Sequence, residues 1–254
     1  MQIVRYLDGE NVRTGVLEGD VVREARGDMF DRLAVGPPAG SRDDIQLVAP
    51  IIPGKLIAIG LNYKDHVEQD TEMELPENPI IFMKPSSAVI GPDEAIILPD
   101  GPENVDAEAE LCIVIGQRCR NVKAEDADSV ILGYCCGNDV SARDYQFRDG
   151  QWTRAKGFDT FAPLGPAIIT DIDPSNLAIS ARVNGETSQN SSTSMLLFDV
   201  PALIEFISGV MTLDPGDVIM TGTPAGPPRL KDGDVCEVEI EGLGVLRNPV
   251  QSAG

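Results

Sequence analysis

One short segment, residues 105–116, constrains the fold of this 254-residue chain more than any other. It reads Val-Asp-Ala-Glu-Ala-Glu-Leu-Cys-Ile-Val-Ile-Gly, so two glutamates lead directly into an apolar run rich in β-branched residues. Such a run predicts a strand that is buried in the protein. Because residues i and i+2 of a strand point to the same face, we expect the carboxylates of Glu108 and Glu110 to lie side by side.

Two carboxylates at that spacing repel each other, and the repulsion is relieved either by a bound proton or by a shared cation. A site made only of oxygen atoms suits a hard divalent ion such as Mg²⁺ or Mn²⁺. The alternative is a pair of glutamates that faces solvent on a half-exposed strand. The segment alone leaves both interpretations open.

The remaining pattern predicts an α+β protein that is predominantly β, with many short strands and few helices. Residues 1–45 alternate in short runs and predict a small N-terminal β-rich module, which ends in a Gly/Pro-rich linker at residues 36–41. Residues 46–254 are expected to form the main domain. Within it, residues 200–211 have the apolar spacing of a helix, and an Asn-Gly pair at 184–185 predicts a hairpin turn.

The acidity of the chain points to its environment and excludes one class of ligand. The sequence has 41 acidic and 20 basic residues, a formal net charge of −21 at pH 7. The acidic residues are spread along the whole length, which is typical of proteins from salt-loving organisms, where salt screens the repulsion between surface charges. A cationic partner is the alternative. Either way, so acidic a chain is poorly suited to nucleic acid, which is bound by basic side chains.

The five cysteines indicate a reducing compartment. Their number is odd, Cys135 and Cys136 are adjacent, and the sequence contains no Cys-x-x-Cys pair. Neither a disulfide framework nor a zinc site is therefore expected. The first residues lack the pattern of a signal peptide, and no apolar run is long enough to cross a bilayer. We expect a cytoplasmic location.

His66 is the only histidine of the chain. It follows a predicted buried strand at residues 55–60, and Glu68 and Gln69 stand shortly after it. A single histidine more often has a structural role, but a place just beyond the end of a strand favours a general acid or base. Glu68 is the neighbouring carboxylate that can orient the imidazole.

Two further polar clusters also follow predicted strands. In the first, Asp139 offers a third carboxylate, and Arg143 and Gln146 can bind an acid group. The second is a Thr-Gly-Thr-Pro loop, in which the backbone of Gly222 and the hydroxyl of Thr223 can hold a carboxylate. Each cluster alone is weak evidence, because a Gly-Thr-Pro loop is usually a plain turn.

Lys156 stands among apolar residues in a chain that has only six lysines. A lysine ammonium is a compact point charge that can approach a developing oxyanion more closely than a planar guanidinium can. The alternative is a simple ion pair with a neighbouring acid such as Asp159. The surrounding Lys-Gly-Phe-Asp-Thr-Phe motif favours a catalytic role.

The order and spacing of these motifs resemble the fumarylacetoacetate hydrolase family over residues 50–249. The matching motifs are Ile-Gly-Leu-Asn-Tyr-Lys-Asp-His (59–66), Phe-Met-Lys-Pro-Ser-Ser (82–87), Glu-Ala-Glu-Leu (108–111), Asn-Asp-Val-Ser-Ala-Arg-Asp (138–144), Lys-Gly-Phe-Asp-Thr-Phe (156–161), Leu-Gly-Pro (164–166) and Gly-Asp-Val-Ile-Met-Thr-Gly-Thr-Pro (216–224). Together they are specific for the family and say little about the substrate.

The resemblance implies the mixed β-roll fold of that family and usually a homodimer. It implies that Glu108, Glu110 and Asp139 bind one Mg²⁺ or Mn²⁺, in some members Ca²⁺. It also implies that Lys156, Arg143, Gln146 and Thr223 lie at positions that contact the carboxylate and oxo groups of the substrate.

His66 matches the general base of the family. In members that decarboxylate or that cleave acylpyruvates, this histidine pairs with a glutamate three residues later on a mobile lid. Here Gln69 stands at that position, and Glu68 lies one residue earlier. We expect the lid, residues 68–78, to determine substrate specificity.

Family substrates are small 2-oxo or 2-hydroxy-dienoic acids. Loss of a proton or cleavage of a C–C bond next to the keto group gives an enolate in each case, and a divalent ion stabilises such a charge. The leading hypothesis is therefore a metal-dependent hydrolase that cleaves a C–C bond of an acylpyruvate- or fumarylacetoacetate-like acid. An isomerase or decarboxylase of aromatic-acid catabolism, acting on 2-hydroxyhepta-2,4-diene-1,7-dioate or oxaloacetate, is the second. A non-catalytic metal- or ligand-binding protein on the same scaffold is the third.

The charge balance makes a prediction about salt. Surface acids repel over a Debye length of ~30 Å at 0.01 M salt, so the melting temperature should rise with KCl well beyond the physiological range. A thermal melt in dilute buffer and in molar KCl measures this. A melting temperature that does not depend on KCl would contradict the halophilic interpretation.

Overall fold

The fold was obtained as a computed structural model, which describes residues 1–66 and 74–254. Strands dominate the described residues, as the sequence predicts. In chain order they are β1 Gln2–Asp8, β2 Asn11–Glu18, β3 Val21–Gly27, β4 Leu33–Ser41, β5 Leu47–Val48, β6 Leu56–Gly60, β7 Ile80–Lys84, β8 Val89–Ile90, β9 Ile96–Leu98, β10 Val105–Asp106, β11 Ala109–Ile115, β12 Ile131–Asn138, β13 Ser141–Ala142, β14 Ala162–Ile169, β15 Ala178–Val183, β16 Glu186–Ser192, β17 Val218–Met220, β18 Val235–Ile240 and β19 Gly244–Ser252.

The helices are few and short. The α-helices bounded within the described residues are α1 Arg143–Asp149, α2 Thr153–Lys156 and α3 Val200–Val210, and 3₁₀ turns span Ser86–Ala88, Ala124–Val130, Pro174–Asn176 and Thr193–Met195. The predicted helix at residues 200–211 is thus present. It begins after Asp199, whose side chain accepts a hydrogen bond from the Ala202 backbone N–H at 3.0 Å, a typical N-cap.

A large sheet forms the frame of the protein. Its strand order is β4-β3-β2-β1-β14-β12-β11-β17-β6-β7, with β5 paired to β1 and β8 paired to β14. Strand β11 runs antiparallel to both of its neighbours, β12 and β17, and β17 runs parallel to β6. The start of β11 therefore lies beside the ends of β6, β12 and β17.

A second sheet, in the order β16-β15-β18-β19-β9, covers one face of the large sheet. Every residue of β11 is buried, and alternate side chains enter different clusters. Leu111 and Ile113 pack with residues of the second sheet and of α3. Cys112 and Val114 pack on the opposite face. The apolar run predicted a buried strand, and this two-sided burial explains why no polar residue interrupts it.

The N-terminal strands β1–β4 form an antiparallel meander that continues the large sheet, because Gln2 and Ile3 pair with Ile169 and Ile168 of β14. The linker predicted at residues 36–41 is wrong, since these residues belong to β4. Strand β4 lies at the edge of the sheet and pairs irregularly with β3. An edge strand has a hydrogen-bonded neighbour on one side only. A proline there can place its missing N–H on the open side, so no hydrogen bond between strands is lost.

The predicted hairpin turn is confirmed. Asn184 and Gly185 have φ angles of +53° and +80°, the left-handed values that a two-residue hairpin turn requires. They connect β15 to β16. All five cysteines are free thiols in the structure. Among the described residues, no helix is long and apolar enough to cross a membrane.

Gly137 provides a test of the packing between the central strands. A Cβ on this residue of β12 would lie 2.3 Å from the Cys112 Sγ, whereas a Cβ on Gly209 of α3 would meet no atom within 4 Å. We expect Gly137→Ala to lower the free energy of unfolding by roughly 1–3 kcal/mol. The control Gly209→Ala should raise it by up to about 1 kcal/mol. Urea denaturation measures both, and equal effects would contradict the packing described.

Candidate metal centre and active site

Three carboxylates meet where the strand ends converge. Ligand oxygen atoms of Glu108, Glu110 and Asp139 all lie within 4.8 Å of one another. The three side chains are buried, with residue exposures of 4%, 1% and 0%. The alternative of a solvent-facing glutamate pair is therefore wrong. Glu110 lies in β11, whereas Glu108 stands just before this strand begins.

Backbone hydrogen bonds hold the three carboxylates together. The Asn138 side-chain oxygen accepts from the Glu108 N–H at 2.9 Å, and the Asp139 N–H donates to the Glu108 carbonyl at 2.9 Å. The Gly222 N–H donates to Glu110 Oε2 at 2.7 Å. Gly222 has φ +102°, and a Cβ there would lie 2.8 Å from Asn62, so only glycine fits this approach.

Lys156 neutralises two of the three carboxylates. Its Nζ donates to Glu108 Oε2 at 2.8 Å, to Asp139 Oδ2 at 2.6 Å and to the Ser141 hydroxyl at 2.7 Å. Burial lowers the pKa of Lys156, but Asp139 and Glu108 outweigh this effect and raise it. Lys156 thus remains charged. The alternative of an ion pair with Asp159 is not what the structure shows.

Arg143 bridges Glu108 to a second acid outside the triad. Its guanidinium contacts Asp106 at 2.8 Å, Glu108 at 2.5 Å and the Gln146 side-chain oxygen at 2.8 Å. Burial would raise the pKa of Glu108, but Arg143 and then Lys156 outweigh burial and hold that pKa below its usual range. Glu108 is therefore an anion even without a metal.

Sequence reasoning missed Lys84, which was noted only as part of a family motif. Its side chain is fully buried and pairs with Asp139 Oδ1, and its Nζ also donates to the Val140 carbonyl at 3.2 Å. Burial lowers the pKa of Lys84, and Asp139 opposes this effect. A lysine inside an apolar strand of a lysine-poor chain was the available signal.

Sequence reasoning also missed the structural roles of Gln189 and Asn62. The side chain of each forms hydrogen bonds with segments of the chain that border the site. Gln189 accepts from the Ala109 N–H at 2.9 Å and donates to the Thr223 hydroxyl at 2.8 Å. Asn62 donates to the Thr221 carbonyl at 2.7 Å. Gln189 lies in β16 and no local sequence pattern marks it, whereas Asn62 belongs to the family motif at residues 59–66, from which no separate role was assigned to it.

Glu110 lacks a compensating charge. None of the ion pairs among residues 1–66 and 74–254 includes it. Burial, then Asp139 and Glu108, raise its pKa well above the usual range. A divalent cation bound by the three carboxylates would remove this cost, and an all-oxygen donor set fits Mg²⁺ or Mn²⁺.

One small pocket collects most of the predicted site residues. Besides the triad, its lining includes His66, Arg143, Gln146, Lys156 and Thr223. Gly222 adjoins it through the hydrogen bond to Glu110. Glu68 and most of the predicted lid lie outside the described residues. A wider groove of about 920 Å³ elsewhere on the surface is lined by none of the predicted site residues.

Comparison with known proteins matches two family models to the chain. Residues 55–251 match the model described as fumarylacetoacetate (FAA) hydrolase C-terminal. Residues 1–50 match the model described as Rv2993c-like, N-terminal.

Similar proteins carry the names of several reactions. A solved structure of 5-carboxymethyl-2-hydroxymuconate delta-isomerase from Mycobacterium smegmatis is 46% identical with a TM-score of 0.93, covering 100% of both chains. The mitochondrial oxaloacetate tautomerase Fahd2a of Rattus norvegicus is 46% identical over 86% of this chain and 73% of its own length. Maleylpyruvate hydrolase from Sphingobium, solved with manganese (II) and pyruvate, is 32% identical with a TM-score of 0.83, again covering 100% of both chains.

The charge imbalance at Glu110 makes a prediction. Glu110→Gln removes an uncompensated buried carboxylate and keeps its shape, so we expect the metal-free protein to melt at a higher temperature than the wild type. The same change should weaken Mn²⁺ binding by at least about 100-fold, because even second-shell changes cost 10–100-fold. Thermal melts with and without Mn²⁺ and isothermal titration calorimetry measure the two effects. Wild-type Mn²⁺ affinity in Glu110→Gln would show that Glu110 is not a metal ligand.

Proposed function

The chain belongs to the fumarylacetoacetate hydrolase family, and we propose that it moves a proton at the carbon next to the keto group of a small 2-oxo acid. The reaction would interconvert keto and enol forms or shift an adjacent double bond. One observation carries the proposal: His66, the only imidazole of the chain, lines the same pocket as the buried triad. An imidazole can both accept and return a proton near neutral pH.

The triad of Glu108, Glu110 and Asp139 would hold the divalent cation, Mg²⁺ or Mn²⁺. When bound, such a cation draws electron density from the keto oxygen and makes the neighbouring C–H more acidic. The manganese in the maleylpyruvate hydrolase structure supports this assignment. The homodimer expected from the resemblance stays a prediction.

Lys156 and Arg143 would act mainly as positioning residues. A lysine ammonium has three donors, and those of Lys156 already contact Glu108, Asp139 and Ser141. Arg143 is likewise engaged by Asp106 and Glu108. We propose that both hold the carboxylates in place and contribute positive charge to the pocket, so that negative charge developing on the substrate is stabilised through space.

Gln146 and Thr223 remain as donors for the carboxylate of the substrate. The Gln146 side-chain oxygen accepts from Arg143 at 2.8 Å, so the group it can offer is its amide nitrogen. The Thr223 oxygen accepts from Gln189 at 2.8 Å, so its own hydroxyl proton can be donated. Two donors beside positive charge suit an anionic acid group.

Proton transfer is preferred over C–C cleavage for two reasons. Gln69 replaces the glutamate that hydrolytic and decarboxylating members pair with the histidine. In addition, the isomerase and the tautomerase are each 46% identical to this chain, whereas the hydrolase is 32% identical. Hydrolysis is the second candidate, because the same imidazole can activate a water molecule for attack on an acylpyruvate.

The proposal predicts the effect of removing the imidazole. His66→Ala should lower kcat for enol-oxaloacetate ketonisation by ~10²–10⁴-fold, because the carbon next to the keto group loses the imidazole that returns its proton. Mn²⁺ affinity measured by calorimetry should not change, since His66 is not one of the three carboxylates. The assay follows the ultraviolet absorbance of the enol in the presence of Mg²⁺.

A parallel assay with acetylpyruvate measures cleavage and separates the two candidates. Ketonisation well above the background rate with no release of acetate supports proton transfer. Rapid release of acetate together with ketonisation at the background rate would contradict proton transfer and support hydrolysis instead. Wild-type activity of His66→Ala in both assays would show that the imidazole is not the base.

A further inference from the structure

Apolar side chains line part of the pocket, and Trp152 is the largest of those that the structure describes. This residue, the only tryptophan of the chain, stands between α1 and α2 and lines the pocket together with Gly60 and Phe82. The benzo edge of the indole lies directly on the Gly60 backbone. A Cβ on Gly60 would be 2.3 Å from Trp152 Cζ3 and 2.7 Å from Cη2, so only glycine allows the ring to sit there.

Phe82 holds the indole from a second direction. The two rings meet edge to face, with centroids 5.2 Å apart and an interplanar angle of 74°. Phe82 in turn lies 5.0 Å from Lys156 Nζ, and the Lys156 N–H donates to the Trp152 carbonyl at 3.0 Å. We call Gly60, Phe82 and Trp152 the aromatic wall. Its rings are fixed by packing and stand next to the charged end of the pocket.

The space in front of the aromatic wall is small. The cavity measures about 30 Å³, which is room for roughly two or three water molecules. In the proposed function the keto group lies at the triad and the carboxylate at Gln146 and Thr223, and these two ends fix the position of a 2-oxo acid in the pocket. With both ends held there, carbon atoms beyond the third would extend toward the aromatic wall.

We infer that Trp152 sets the upper length of the acid that this site accepts. The inference rests on the proposed function in one respect, that a 2-oxo acid binds with its keto end at the triad. A short acid fits in front of the indole, whereas each additional methylene group of a longer acid collides with the ring. Trp152 is thus a specificity-determining residue, in a part of the chain separate from the predicted lid.

Calorimetric binding of a homologous series tests the inference without turnover. The probes are pyruvate, 2-oxobutyrate and 2-oxohexanoate, titrated into the Mg²⁺-loaded wild type and into Trp152→Ala. In the wild type the affinity should fall with chain length. In Trp152→Ala it should instead rise from pyruvate to 2-oxohexanoate, and the ratio of the two affinities should change by at least about tenfold, because a buried methylene contributes roughly fourfold.

Phe147 provides the matched control. It is an aromatic residue of the neighbouring helix α1 with 81% exposure, and it does not line the pocket. Phe147→Ala should keep the wild-type order of affinities. Should Trp152→Ala fail to fold, Trp152→Phe gives a smaller ring and an intermediate profile. Equal profiles in the wild type and the Trp152 variants would overturn the inference, as would a failure of all three acids to bind.

Tryptophan fluorescence of the wild type provides a second measurement, because all of this emission comes from Trp152. 2-Oxobutyrate, the shortest of the three probes with a carbon beyond the third, should shift or quench this emission when it is added to the Mg²⁺-loaded protein, and an unchanged spectrum on binding would contradict a ring at the substrate. These binding results are independent of the reaction. If the wild type catalyses ketonisation but the Trp152 variants show the wild-type dependence of affinity on chain length, the inference is refuted and the proposed function stands. If that dependence changes but the wild type has no activity, the inference stands and the proposed function is refuted.

Discussion

The structure depends on the mutual repulsion of three buried carboxylates. Each ion moved from water into the protein interior costs several kcal/mol unless it is paired. Two lysines and one arginine, Lys84, Lys156 and Arg143, pair with Asp139 and Glu108. Among the described residues, Glu110 forms no ion pair and accepts a hydrogen bond from the Gly222 N–H. A cation bound at the centre would displace the proton that the raised pKa of Glu110 favours, whereas a further lysine or arginine beside Glu110 would leave no charge for a metal to balance.

The fold serves this arrangement through a single strand. Strand β11 is hydrogen-bonded on both edges and buried on both faces. A shift of the strand pairing by one residue would exchange the two faces of β11. Glu110 would then no longer point at Glu108 and Asp139. The packing of Leu111 and Ile113 on one face and of Cys112 on the other therefore determines the position of the carboxylates.

Sequence patterns predicted those features that depend on local periodicity and chemistry. The buried run of β11, helix α3 and the Asn184–Gly185 turn follow from residues that are neighbours in the chain. The convergence of His66, Lys156 and the triad followed from the family motifs. Local patterns do not predict contacts between distant residues, such as Gln189 with Ala109 or Trp152 with Gly60. The linker predicted at residues 36–41 failed because an edge strand accepts proline and glycine.

The pairing of β1 with β14 limits how the protein can be shortened at its N-terminal side. Without the first four strands, the backbone N–H and C=O groups along the end of β14 would lose their partners and form an open edge. Such an edge is a template for pairing with another chain. The pairing with β1 therefore covers this stretch of β14, and a shortened version of the protein would need a charged or proline-bearing substitute at that border to keep it protected.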